Sequence, residues 1–263
     1  MNMILLTPLD LLLTASLVLA LAITSWYQQL GLERQLLVAA LRTTIQLVLI
    51  GWVLKLLFEQ VNLLWITAIA TVMISLAGYE IRQRQKHRFS GPWGYGIGTL
   101  SVFISGFTLT LFSLLVVIQA DPWYQPQYAI PLLGMLLGNT MTGISLALDQ
   151  LNKSALQQRR IIEARLLQGH SACEAIQSYR REATRIGMIP TINGMAAAGI
   201  ISLPGMMTGQ ILAGAAPVEA VKYQILIMFL VAVGTGFGTL FAISLASHRL
   251  FDERQRLRVD RLI

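Results

Sequence analysis

Apolar residues in this chain come in blocks of about 20, and that block length is what most restricts the fold. A helix of that size, rising 1.5 Å per residue, covers the roughly 30 Å hydrocarbon core of a bilayer. Charged residues make up 13% of the sequence, about half the share of a soluble domain, so there is too little polar surface for water on all sides. Periodicity inside the blocks is weak, as expected where lipid surrounds part of each helix. The fold class is therefore all-α, a polytopic transmembrane bundle within one membrane domain, residues 1–263.

Seven spans can be read: Leu9–Tyr27, Leu36–Phe58, Leu63–Ile81, Gly94–Ile118, Tyr128–Leu148, Met188–Ala213 and Lys222–Ser247. The link before the third, near Glu59–Asn62, is very short. Ala20-Leu21-Ala22 mimics a signal cleavage site, but no Lys or Arg precedes the first block and Asp10 stands where a basic residue would be. That helix is expected to be retained.

Of the 20 Lys and Arg residues, 17 fall on alternate connections and the tail. They are Arg34; Arg82, Arg84, Lys86 and Arg88; Lys153, Arg159, Arg160, Arg165, Arg180, Arg181 and Arg185; and Arg249, Arg254, Arg256, Arg258 and Arg261. The opposite side has Lys55 and Lys222, both at helix ends within snorkelling reach. The positive-inside rule then places the N-terminus outside and the C-terminus in the cytoplasm of a plasma membrane, or an inner membrane in a Gram-negative-type cell. The net charge of +7 is explained by these connections, so the partner it implies is a lipid bilayer rather than nucleic acid.

Residues 150–187 are the largest hydrophilic segment. Ser154 with Gln157, and Ser171 with Glu174, have capping-box spacing, and Gly169 between them suits a helix C-terminus. The segment reads as helix–Gly–helix, with Ala172, Ala175 or Ile176, Tyr179, Ala183 and Ile186 on one stripe. Within it, Glu163-Ala164-Arg165-Leu166-Leu167-Gln168-Gly169 resembles the Glu-Ala-Ala…Gly coupling loop of ATP-binding-cassette (ABC) permeases, with Arg165 where Ala is usual. Glu163, Ala164, Leu167 and Gly169 are then the ATPase-coupling residues; the plainer reading is a solvated hairpin. No glycine-rich phosphate loop is present, so ATP hydrolysis would need a separate subunit and the chain is not expected to be an enzyme.

Polar residues inside spans are few. Arg42, with Gln46 one turn on, either snorkels or lines a path. In Ser202-Leu203-Pro204-Gly205-Met206-Met207-Thr208-Gly209-Gln210, Pro204 removes a backbone donor, which predicts a kinked or broken sixth span. Such breaks line substrate sites in transporters, where freed carbonyls, Ser202, Thr208 and Gln210 could offer oxygen ligands. Met206 and Met207 could hold a soft ion, although packing explains them as well. Asn139 and Asn193 are expected to bond between helices or line the path. Gly134…Gly138, Gly205…Gly209 and Gly234…Gly238 permit close helix approach. His87, His170 and His248 have no metal-site spacing, and no cofactor is implied.

The block Leu203-Pro204-Gly205-Met206-Met207, with Pro217, Ala220 and Lys222-Tyr223-Gln224-Ile225, resembles the signature of the FetB-type family of ABC permeases, related to the plant aluminium-sensitive protein. Arg42…Gln46-Leu47 and Pro131-Leu132-Leu133-Gly134-Met135…Gly138-Asn139 match too. The resemblance implies a homodimer paired with a cytoplasmic ABC ATPase, exporting iron or another metal. The residues leave an ATP-independent channel or ion-coupled carrier as the alternative.

Overall fold

The computed structural model describes residues 7–59 and 62–263, and the regular elements among them are helical. Part of the short link expected near Glu59–Asn62, Gln60 and Val61, lies outside the described residues. The chain divides into two units, one reaching Asn62 and the other running from Leu63 to Ile263.

In the first unit, α1 (Pro8–Tyr27) and α2 (Glu33–Glu59) form a hairpin. Thr7 starts α1 with a reciprocal cap: its backbone N–H donates to Asp10 Oδ2 at 2.8 Å, while its hydroxyl accepts from the Asp10 N–H. Buried Ser25 seals the connection, accepting from Leu32 N at 3.3 Å and donating to Glu33 Oε2 at 3.4 Å. The apolar side chains of α2 are otherwise almost all exposed, the surface a helix presents when its solvent is lipid.

The second unit contains α3 (Leu63–Arg84), α4 (Trp93–Val102), α5 (Thr108–Phe112), α6 (Pro126–Gln157), α7 (Arg159–Leu167), α8 (Ala172–Ala197), α9 (Gly205–Leu212) and α10 (Pro217–Leu250). Helix α5 is flanked by wider π-helical turns, Phe103–Phe107 and Ser113–Ile118. Along this stretch Ser101, Ser105 and Thr110 donate to carbonyls one turn earlier, at 2.7 Å each. Hydroxyls that bond back in this way compete with the regular backbone ladder and loosen it.

Among the described residues, six helices are long and apolar enough to cross a membrane: Pro8–Tyr27, Glu33–Lys55, Leu63–Arg84, Trp93–Ile118, Pro126–Gln157 and Pro217–Leu250. They correspond to six of the seven expected spans. The other, Met188–Ala213, is not one helix. Helix α8 stops at Ala197, Ala198 is extended, Gly199 turns at φ +85°, and Pro204 serves as the N-cap of α9. The break thus begins before Pro204, because Gly199 provides the reversal and the proline only starts the next helix.

Helix α6 extends about 48 Å, well beyond a hydrocarbon core of about 30 Å. It passes straight through Ser154, so the expected cap there does not form; an N–H already paired within a helix needs no capping oxygen. The Ser154 hydroxyl instead accepts from Gln150 Nε2 at 3.3 Å. Helices α6, α8 and α10 make the centre, where Ile144, Leu148 and Leu151 meet Ala175, Ile176, Ala183, Ile243 and Ala246. Two glycines let α6 and α8 touch: a Cβ on Gly143 would stand 2.8 Å from the Gly187 carbonyl oxygen. Of the three Gly pairs named above, Gly234…Gly238 is the one packed at both positions; Gly138, Gly205 and Gly209 face open space.

At one end of this unit three basic connections knit into a layer. Asp149 accepts from Lys86 N at 2.7 Å, and Asn152 donates to His87 O at 2.8 Å. The C-terminal segment folds back over both, exchanging backbone bonds between Ile263 and Arg88 (2.8 and 3.1 Å) and accepting the Ala172 N–H at Gln255 Oε1, 2.9 Å away. Leu257, Val259 and Leu262 pack into the core beneath it.

Candidate functional site

The helix–Gly–helix element forms as α7, Gly169 and α8. Ile162 is fully buried and Leu166 packs beside the core, which fixes one face of α7. Helix α7 ends because Gly169 takes φ +90°, a region that a residue with a Cβ enters at a cost. Ser171 and Glu174 make the expected reciprocal cap: Glu174 Oε2 accepts the Ser171 N–H at 2.8 Å. That backbone bond, with a second from the Ser171 hydroxyl, holds the Glu174 carboxyl below its ordinary range.

The departure at Arg165 has a structural role. Its guanidinium donates to Ala175 O at 3.0 Å and Ser178 Oγ at 3.2 Å and lies over the Tyr179 ring, clamping α7 to α8. Glu163 is half-buried and accepts from Arg159 Nε at 2.8 Å, while Ala164 is exposed. Leu167 is 89% exposed, unusual for an apolar side chain on a helix otherwise so well anchored. Glu163, Leu167 and Gly169 line an open cavity of about 770 Å³ whose far wall is the C-terminal segment, Arg254, Arg256 and Arg258.

That wall was not foreseen from the sequence, where the tail reads simply as basic. Its signal is the alternation of Leu257 and Val259 with Arg256, Arg258 and Asp260, a period of two on a segment that docks by backbone bonds. Ion pairs brace it. Arg258 forks onto Asp260 with two 2.8 Å bonds, holding that carboxyl down to about 2. The Arg256 N–H and side chain lower Asp252.

The residues expected in the membrane are only partly brought together. Ser202 and Gly205 are exposed at the break, where Gly199 N donates to Ser202 O at 2.9 Å. Met206 packs against the cluster of Leu114, Leu136 and Ile227, and Met207 is half-buried, so both carry packing contact. Gln210 Oε1 is buried without a hydrogen-bond partner among the described residues, as is Gln224 Oε1 on α10, the helix on which α9 packs. Gln224 belongs to the Lys222–Ile225 run but was not singled out. Asn139 is exposed on α6, and its Nδ2 donates to Met135 O of its own helix at 2.8 Å. Asn193 is exposed on α8. Arg42 and Gln46 lie on exposed positions of α2, in the first unit. Among the described residues no group of three or more His, Cys, Asp or Glu side chains is placed to hold a metal ion.

The arrangement is that of a membrane helix bundle with a rigid hairpin at its basic end. The UPF0014 family, described as an uncharacterised protein family, matches residues 8–251. The chain belongs to this family. It is similar to the UPF0014 membrane protein slr1647 of Synechocystis, 39% identical over 91% of this chain and 92% of the relative. It is also 36% identical to Protein ALUMINUM SENSITIVE 3 of Arabidopsis thaliana, over 80% of this chain and 75% of that protein. The Probable iron export permease protein FetB of Escherichia coli K12 is 30% identical over 96% of this chain and 95% of its own length. No solved structure matches. With the apolar helices, these relatives make the UPF0014 chain a multi-pass membrane protein.

Proposed function

We propose that this UPF0014 protein is the permease subunit of an ATP-driven exporter in the plasma membrane, working as two copies, with ATP hydrolysed by a separate cytoplasmic ABC subunit docked on the α7–α8 hairpin. The observation that carries this reading is Leu167: an exposed apolar side chain held out beside Glu163, Gly169 and an open cavity, on a hairpin fixed by Ile162 and Arg165. Presenting it to water costs hydrophobic free energy that a partner's pocket would recover. In this reading the basic layer lies in the cytoplasm, as the positive-inside rule requires.

The FetB relative's name supports iron or another metal as the cargo. Ser202, Met206, Met207, Gln210 and the carbonyls freed at residues 198–204 would line its route. A bare hard cation prefers carboxylates. A chelated metal, an anionic conjugate or coordination by carbonyl oxygens therefore suits these residues better.

Affinity purification from native membranes tests the coupling. The wild-type chain should bring down an ATPase in stoichiometric amount. Leu167→Asp should lose it while thermal stability changes by less than about 0.5 kcal/mol, as for other exposed sites. Transport in liposomes under an ion gradient alone, with no partner, would instead establish the channel or carrier reading.

A further inference from the structure

A second cavity, of about 600 Å³, opens where α4 begins and α10 ends at the basic layer, and the coupling reading makes no use of it. Its lining is two-sided in chemistry. Trp93, Leu245 and Phe251 give an apolar wall, and Arg249, Arg254, Arg256 and Arg261 converge on the same space. Asp252 and Glu253 are also there, but Asp252 is engaged by Arg256 at 2.7 Å. Among the described residues, Arg249, Arg254 and Arg261 have no carboxylate within ion-pair distance. Arg249 lies 4.7 Å over the Trp93 ring, and Arg258 and Arg261 are near enough for their like charges to act on it. Arg261 is pinned by bonds from one guanidinium nitrogen to Arg249 O (2.7 Å) and Phe251 O (3.2 Å), leaving its remaining N–H groups available. Four guanidiniums against the two carboxylates of Asp252 and Glu253 leave the lining with a net positive charge.

We propose that this cavity binds the phosphate of an anionic lipid headgroup, with Arg249, Arg254 and Arg261 around the phosphate and Trp93, Leu245 and Phe251 against the glycerol and upper acyl chain. Position and lining both select this ligand. Trp93 is half exposed at the start of an apolar helix, where interfacial aromatics meet headgroups. Basic pockets between membrane helices suit lipid phosphates, and the Arg fork matches phosphate oxygens. A free phosphate would gain nothing from the apolar wall.

Native mass spectrometry of the full-length protein in detergent, titrated with phosphatidylglycerol, phosphatidylcholine or inorganic phosphate, tests the assignment. Phosphatidylglycerol should bind well above phosphatidylcholine. Arg249→Gln with Arg261→Gln should weaken it roughly 30-fold, at about 1 kcal/mol for each basic residue near the headgroup and 1.4 kcal/mol per tenfold. Arg261 also holds the tail, so Arg254→Gln, which removes an exposed side chain, is the folding-neutral variant and should weaken binding several-fold. Arg181→Gln with Arg185→Gln, the same charge change on the exposed face of α8, should leave affinity unchanged. Millimolar inorganic phosphate that displaces the lipid in wild type but not in the double variant keeps the phosphate site and makes its source soluble. Equal losses in the α8 control, or no loss in the cavity variants, would overturn the site.

Discussion

The guanidinium of Arg165 stands 5.8 Å from the ring centroid of Tyr179 while donating to the Ala175 carbonyl on the same helix. One side chain thereby ties the short α7 to the long α8. Arg165→Ala should loosen α7 locally, costing about 1–2 kcal/mol from the charged bonds and the ring contact. Hydrogen exchange across residues 159–167 should rise while that of α6 is unchanged. Arg165→Lys should recover only part, since an ammonium cannot reproduce the planar fork.

Gly187 bears on the bundle rather than the hairpin. A Cβ there would lie 2.7 Å from the Gly143 oxygen and 2.9 Å from the Ala147 Cβ. Gly187→Val should destabilise by about 1–3 kcal/mol or more through overpacking, read as a lower Tm in detergent. Gly138→Ala, in open space, should be neutral or slightly stabilising.

Gln224 separates stability from transport. It is 8% exposed and its carbonyl oxygen is unpartnered, a state that costs about 1–3 kcal/mol. Gln224→Leu should therefore leave Tm unchanged or higher. If that oxygen and the one on Gln210 meet the cargo, transport falls all the same; unchanged transport removes Gln224 from the route.

Acid should release the tail. Asp260, Asp252 and Glu174 titrate lower in the folded chain than unfolded, so each adds stability that is complete above its unfolded value near 4. That stability is lost as pH falls through the folded values, about 2 for Asp260. Hydrogen exchange of residues 252–262 should depend little on these groups above pH 5, beyond its intrinsic rate, and show added opening below about pH 4. Asp260→Asn should show part of that opening at neutral pH.

Membrane class and most spans were legible because block length alone decides whether a helix can cross. Gly169 and the Ser171–Glu174 cap were legible because their chemistry is local. Ser154–Gln157 has the same spacing but lies inside α6, and no local pattern reveals that a helix has not yet ended. The break was readable from Pro204, but its start depends on the positive φ of Gly199, which the proline's own chemistry does not reveal. The outward orientation of Asn139 on α6 is set by how the helix packs, which its sequence neighbours do not show. The cavity walls come from residues nearly 90 positions apart, such as Gly169 and Arg258, and only tertiary packing joins them.

Helix α8 runs unbroken from its cap at Ser171 to Ala197, and it crosses α6 against Gly143 at Gly187. From that crossing about 22 Å of helix runs toward the hairpin and about 15 Å toward the 198–204 turn. A five-degree tilt moves the first end by about 2 Å and the second by about 1.3 Å in the opposite sense. Pro190, just past the crossing, removes one backbone bond from the shorter stretch. If an ATPase docks at Leu167 as proposed, a tilt about Gly187 would reach the 198–204 turn smaller and reversed in sense.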